Sequence, residues 1–290
     1  MGLMGRLSTR SKRTIPRPNW PATLAIHAAL LAYSALALFP VLLVVVNAFK
    51  ERLAIFSAPY ALPNAQTFTL EGFRTLQANA NFPAYFLNSI VVTVGALFLI
   101  VLVSSMAAFA LAEYRFRLNT LMGLYLAIGI MVPIRLGTVG ILQLAVDLNL
   151  VNTLLILILV YTAQGIPLAV FVLSAFMRQL PRDLKDAARI DGASEYRVYW
   201  LTLPLVRPAI GSVLAISMIP IWNDLWFPLI LAPGERTKTV VLGASVFLGQ
   251  FVNDYNAVLA ALTLAIVPAV LLYFAFSQQL IRGITSGAVK

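Results

Sequence analysis

Trp222, Asn223 and Asp224 stand together inside a long apolar stretch, IPIWNDLWFPLIL at 219–231. An ionisable residue within a membrane-embedded run is costly, and is a functional candidate by default. An aromatic ring beside hydrogen-bonding groups also suits a sugar ring, whose faces are apolar and whose edges are hydroxyls. Asn223 and Asp224 can equally bond a neighbouring helix or a partner chain, or Asp224 can sit near the outer interface. The residues alone leave these alternatives open. A second polar island, DLKDAARIDGASEYRVYW at 183–200, lies between two hydrophobic runs and is the most charged part of an otherwise apolar chain.

Other chemistries find little support. There are no cysteines, which removes disulfides, thiolate nucleophiles and cysteine-based metal sites. The one histidine, His27, is flanked by apolar residues and reads as a helix-packing residue near the membrane surface. A histidine metal site would need partners that the sequence lacks. No catalytic cluster is visible. No G-x-x-x-x-G-K phosphate loop occurs, and no Gly-Lys pair at all, so any ATP and magnesium must bind another polypeptide.

The elements that carry these residues follow from composition. The chain has 290 residues, 60% hydrophobic and 11% charged, where soluble domains carry about 25% charged residues. Runs near 20 apolar residues are long enough to cross about 30 Å of hydrocarbon as helices. They lie at about 22–47, 87–112, 118–136, 151–177, 208–231 and 257–280. The third is the weakest, being short with Pro133 and Arg135 at its end. Continuous apolar runs of this length exclude barrel strands, which alternate in polarity. The 32 uncharged residues from Pro18 to Phe49 exceed a signal-peptide core, so the first run reads as an uncleaved span.

Six spans place both termini on one side. If that side is the cytoplasm, its segments hold 15 of the 21 basic residues and the opposite side holds 6. The positive-inside rule therefore favours N-in and C-in, and accounts for the net charge of +10 without nucleic acid. The expected organisation is a basic tail over 1–20, a membrane domain over 21–280 with its core at about 85–280, a cytoplasmic loop at 178–207, and a tail over 281–290. Segments 49–86 and 232–256 form the larger outer loops.

The 178–207 loop reads as two short helices. Pro181 suits a first helical turn. Leu184, Ala187, Ala188 and Asp191 follow helical spacing, and Gly192 can end that helix in a left-handed turn. Ser194 can cap a second helix, whose apolar side is Tyr196, Tyr199, Trp200 and Leu203. Pro204 then breaks the pattern. Small residues at the bend let another backbone approach, with charges around them. The alternative is a hairpin lying on lipid headgroups.

DAARIDGAS, followed twelve residues after Gly192 by Pro204 in LPLVRP, resembles the EAA loop of bacterial ABC-importer permeases. That motif is EAA, three residues, then Gly, with a downstream Leu-Pro. Asp186 stands where Glu is usual, keeping the charge on a side chain one methylene shorter. FTLEGFRTL, YFLNSIVVTVGA, AAFALAEYRFR and IPIWNDLWFPLIL resemble the carbohydrate-uptake branch, and the closing RGITSGAVK is similar to the second permease of maltose-type systems.

The resemblance implies an all-α membrane protein: a type I (MetI-like) transmembrane domain of six helices, multi-pass in the bacterial cell membrane. It implies a permease subunit of an ATP-driven, binding-protein-dependent sugar importer. The partners would be a second homologous permease, two ABC ATPase subunits and an extracytoplasmic sugar-binding protein, besides membrane lipid. Asp186, Ala187, Ala188, Asp191, Gly192 and Ala193 would contact the ATPase. Trp222, Asn223 and Asp224 would line the substrate path, although in such systems the partner permease can hold most of the sugar site. An ion-coupled secondary transporter is the main rival. No internal repeat is visible by eye, and Asp224 is the single carboxylate within the expected spans, thin provision for ion coupling.

Overall fold

The computed structural model describes residues 20–79, 81–247 and 254–288. The basic tail expected over 1–20 lies outside these residues apart from Trp20. In chain order the helices are α1 (Trp20–Asn47), α2 (Arg52–Ser57), α3 (Glu71–Asn79), α4 (Phe82–Glu113), α5 (Asn119–Met131), α6 (Thr138–Asp147) and α7 (Leu154–Arg178). There follow α8 (Arg182–Ile190), α9 (Glu195–Thr202), α10 (Arg207–Trp222), α11 (Trp226–Leu231), α12 (Val240–Ser245) and α13 (Tyr255–Ala288). Among the described residues the only extended pairing is an isolated bridge between Lys50 and Phe68. In lipid the backbone must satisfy itself, and helices do so within one segment.

The chain divides into two compact units, residues 1–44 and 45–290. In the first, α1 is apolar and exposed from Trp20 to Leu42, as suits a lipid-facing span, and His27 Nδ1 lies 2.7 Å from the Thr23 carbonyl one turn earlier.

In the second unit α4 packs along α7. Ala96, Ile100 and Ala108 of α4 join Leu157, Tyr161, Ala169 and Leu173 of α7 in one buried cluster, which extends to Ala209, Val213 and Ile221 of α10. The alanines let helices approach closely, which is how helices associate where lipid offers no hydrophobic drive. A second cluster joins Leu76 of α3, Tyr85 of α4, Val240 of α12 and Ala257, Ala260 and Ala261 of α13. Beside it, Lys50 is buried and donates to Asn47 Oδ1 and to the carbonyls of Ala58 and Pro59, while its own carbonyl accepts from Asn256.

Four helical stretches among the described residues are long and apolar enough to cross a membrane: α1, α4, α7, and α9 continued through α10. Two of the expected spans differ in detail. The third does not run to 136. α5 ends at Met131, and the chain turns by 87° into Ile134–Asp147, so this bent pair is the fifth candidate. Pro133 supplies no amide donor and biases Val132 to the extended conformation it adopts. At 13 residues α5 is about 20 Å long, short of the hydrocarbon thickness. The fifth is not continuous over 208–231 either: it breaks after Trp222 and resumes at Trp226. Pro220 and Pro228 each remove a helical donor there. The expected sixth span falls within α13, whose portion Tyr255–Pro268 is apolar; the helix continues to Ala288, through most of the expected 281–290 tail.

Gly72 marks the closest approach of α3 to α13. A Cβ there would stand 2.2 Å from the Asn256 carbonyl oxygen, a backbone atom held by its own helix. Gly72→Ala is expected to cost about 1–3 kcal/mol through overpacking, seen as a lower melting temperature of the purified protein in detergent. An unchanged melting temperature would show that α3 can shift freely.

Candidate functional site

The polar island folds as the two short helices α8 and α9. Gly192 joins them at φ +79°, a conformation glycine adopts without steric penalty. The Ala193 amide donates to the Ala188 carbonyl and the Gly192 amide to the Arg189 carbonyl, the paired bonds of a Schellman turn. Ser194 precedes α9 in extended conformation, though its hydroxyl makes no capping bond.

Asp186, Ala187, Asp191 and Gly192 are exposed, while Ala188 and Ala193 are half-buried against the core. Nothing stands within 4 Å of where a Gly192 side chain would begin. Ile190, at 86% exposed, and Leu184 add apolar surface beside them. The expected apolar side of α9 is divided between core and surface, with Leu203 half-buried against the core. Val198, Tyr199 and Thr202 are buried, whereas Tyr196 and Trp200 face outward. Aromatic rings are at home at a membrane interface, so here an apolar stripe does not identify the buried face.

Beneath the exposed face lies a charged network that spacing did not reveal. Glu113, the last residue of α4, accepts from Lys185 and, at 2.7 Å, from Arg189. Arg189 also donates to Asp186 at 3.0 Å and to Glu195 at 2.9 Å, and the Tyr114 hydroxyl donates to Glu195 at 2.6 Å. One guanidinium thus ties α8, α9 and the end of α4 together, using the forked donors that arginine alone provides. Burial alone would raise the Glu113 carboxyl, but hydrogen bonds from Lys185 and Arg189 outweigh it and hold it below its usual range. Glu195 is held down by Arg189 and Tyr114. Burial and Glu195 push the Tyr114 hydroxyl up to about 12.

The other candidate residues diverge in space. The Trp222 indole is buried, donating to the Ala265 carbonyl at 3.1 Å and meeting Phe86 edge-on. Asn223 is exposed and bonds the Ile219 carbonyl of its own helix. Asp224 is 8% exposed at the break between α10 and α11. Its Oδ1 accepts from Arg135 at 3.2 Å and the Trp226 amide at 3.3 Å. Its Oδ2 accepts from the Tyr161 hydroxyl at 2.9 Å and the Phe227 amide at 3.1 Å. The carboxylate therefore caps α11 and joins it to α7 and to the bend after α5. Arg135 keeps an exposed face, lies 5.9 Å from the Trp226 ring centre, and Trp226 in turn donates to Thr138. Arg135 and Trp226 escaped the sequence reading. The available signal was the isolated carboxylate itself, which needs a cation, and Arg135 ends another apolar run.

A bundle of long apolar helices, interrupted by a polar helical hairpin held at its base, is the architecture of a membrane permease. The chain belongs to the family of binding-protein-dependent transport system inner membrane components, whose model matches residues 29–286. It is 32% identical over 267 residues to the diacetylchitobiose uptake system permease protein NgcG of Streptomyces coelicolor, covering 91% of this chain and 88% of that one. It is 30% identical over 272 residues to the trehalose/maltose transport system permease protein MalG of Thermococcus litoralis, covering 92% and 96%. In fold it is similar to a chain of a bacterial ABC transporter involved in the import of the acidic polysaccharide alginate, with a TM-score of 0.76 at 17% identity, covering 91% of this chain and 99% of that one.

Because the Glu113 and Glu195 carboxyls are depressed in the folded protein, their contribution is full above the ordinary carboxylate pKa and fades as pH falls through the lowered value. Amide exchange over 182–195, corrected for intrinsic rates, is expected to stay slow from neutral pH to roughly pH 5 and to quicken below roughly pH 4. Glu113→Gln should remove much of that dependence; if the profile is unchanged, Glu113 does not fasten the hairpin.

Proposed function

We propose that this chain is the permease subunit of an ATP-driven sugar importer, forming half of the translocation path and coupling to a cytoplasmic ATPase through α8 and the Gly192 turn. The observation that carries this reading is the hairpin's two-sided construction. Its small and acidic residues Asp186, Ala187, Asp191 and Gly192 face outward, while Glu113 grips the reverse side through Lys185 and Arg189. A partner that moves this helix moves the end of α4 with it, as a rigid body. Sugar is the substrate class because the two relatives are permeases of a diacetylchitobiose uptake system and a trehalose/maltose transport system.

The full assembly then needs a second homologous permease, two ABC ATPase subunits that carry ATP and magnesium, and an extracytoplasmic sugar-binding protein. Six spans with both termini inside remain the arrangement that the basic residues favour. Of Trp222, Asn223 and Asp224, Asn223 faces the path in this reading, Asp224 acts through the exposed Arg135 and Trp226 beside it, and the buried Trp222 supports them by holding α10 to α13. An ion-coupled secondary transporter is not favoured. The family is a binding-protein-dependent one, and Asp224 is already committed to four donors.

Affinity purification of the chain from its native membrane, with mass spectrometry of what accompanies it, is expected to recover a second permease and an ATPase. Asp186→Arg and Gly192→Pro should each abolish sugar uptake while membrane levels stay normal, because one reverses an outward charge and the other cannot adopt a positive φ. Normal uptake in both would exclude coupling through this turn. Asp224→Ala strands Arg135 and leaves α11 uncapped. It is expected to lower uptake while the ATPase still copurifies; loss of the permease pair would instead make Asp224 an assembly residue.

A further inference from the structure

Two adjoining hollows of opposite chemistry lie where α4, α5 and α7 meet α8. The larger, about 960 Å³, is walled by Arg115, Arg178, Arg182 and Lys185 together with Glu113 and Asp186. The smaller, about 240 Å³, is an apolar groove between α5 and α7 lined by Gly123, Leu126, Ala127, Val170 and Phe171. The two share Leu111, Asn119 and Arg178 as common wall.

The charges in the larger hollow are unbalanced. Both carboxylates are spent on Arg189, and Glu113 also on Lys185. Arg178 gives one bond to the Leu111 carbonyl at 3.3 Å. Arg115 and Arg182 have no polar partner among the described residues. Arg115, Arg178, Arg182 and Lys185 thus outnumber Glu113 and Asp186 in the lining, and the three guanidiniums, each with five donors, leave it with an excess of positive charge and of unused donors. We propose that this site binds an anionic phospholipid, its phosphate among Arg115, Arg178 and Arg182 and one acyl chain in the groove between α5 and α7.

Three features select a lipid. Basic pockets between spanning helices on the cytoplasmic side suit anionic headgroups. Guanidinium groups hold phosphate oxygens through paired, charge-assisted bonds. The groove opens from the charged hollow on two membrane helices, so one amphiphile fills both, whereas free phosphate or an acidic protein side chain fills only the first. Arg182 and Lys185 belong to α8, so the headgroup touches the same helix that meets the ATPase in the proposed function. The site rests on that reading's inside orientation of the hairpin, but not on the substrate or on transport.

The test is native mass spectrometry of the full chain, with whatever subunits copurify, in micelles titrated with phosphatidylglycerol or phosphatidylcholine. Wild type is expected to retain phosphatidylglycerol preferentially. The Arg115→Gln/Arg182→Gln double variant should reduce that retention at least about tenfold, the order expected from two interfacial cations. Gly123→Phe should do the same from the other end. Gly123 lines the groove and a Cβ added there meets nothing within 4 Å, so a larger side chain has room to begin at the groove wall. Equal retention of the two lipids by wild type would overturn the proposal, as would a preference unchanged in both variants. Inorganic phosphate that binds wild type and Gly123→Phe equally, with no lipid preference, would identify a phosphate site instead. Because neither uptake nor ATP hydrolysis is read, failure of the importer reading would leave these outcomes legible.

Discussion

Glu113 stands where the apolar part of α4 gives way to water, and two cations from α8 converge on it. A carboxylate there without partners would be expensive, as would a buried Lys185 without a carboxylate. Each group makes the other tolerable, and the hairpin's position follows from that requirement. Arg189 extends the arrangement to Asp186 and Glu195, so the second helix of the hairpin is fixed by the same group as the first. Ala187 and the Gly192 turn need no side-chain contacts of their own to stay in place. They are free to meet a partner because the reverse side of the helix already holds it.

Asp224 solves a related problem deeper in the chain. Two prolines interrupt the fifth apolar stretch, and the resulting helix start at Trp226 leaves amide donors without helical acceptors. The Asp224 side chain accepts two of them, and its remaining capacity goes to Tyr161 and Arg135. The break is thereby stitched to α7 and to the bend that follows α5. A carboxylate that reads in the sequence as a substrate-path candidate has a structural duty, and that duty engages both of its oxygens.

Local features were legible in the residues. Gly192 is the left-handed turn that its place after a helical pattern requires, and the spans carried by α1, α4 and α7 stand close to where their apolar runs suggest. What stayed hidden was long-range. Glu113 and Arg189 are 76 residues apart, and Arg135 and Asp224 are 89 apart, so no spacing rule connects them. The break at 223–225 was harder still, because the apolar run resumes on both sides of Asn223 and Asp224, and a single polar pair does not by itself end a span. The apolar side of α9 is split for a different reason: periodicity identifies it, but beside a membrane only part of an apolar side need be buried, as Tyr199 is and Trp200 is not.

The length of α13 has a mechanical consequence. Its 34 residues form a rod of about 51 Å, while the hydrocarbon layer is about 30 Å. Some 20 Å of helix therefore stands beyond the oil whatever its register. Such a rod is a lever: pivoting by about 10° carries its far end roughly 9 Å at this length. Ala257, Ala260 and Ala261 sit at the pivot of that lever and Ala288 at its tip, with Pro268 between them as the place where the rod can give.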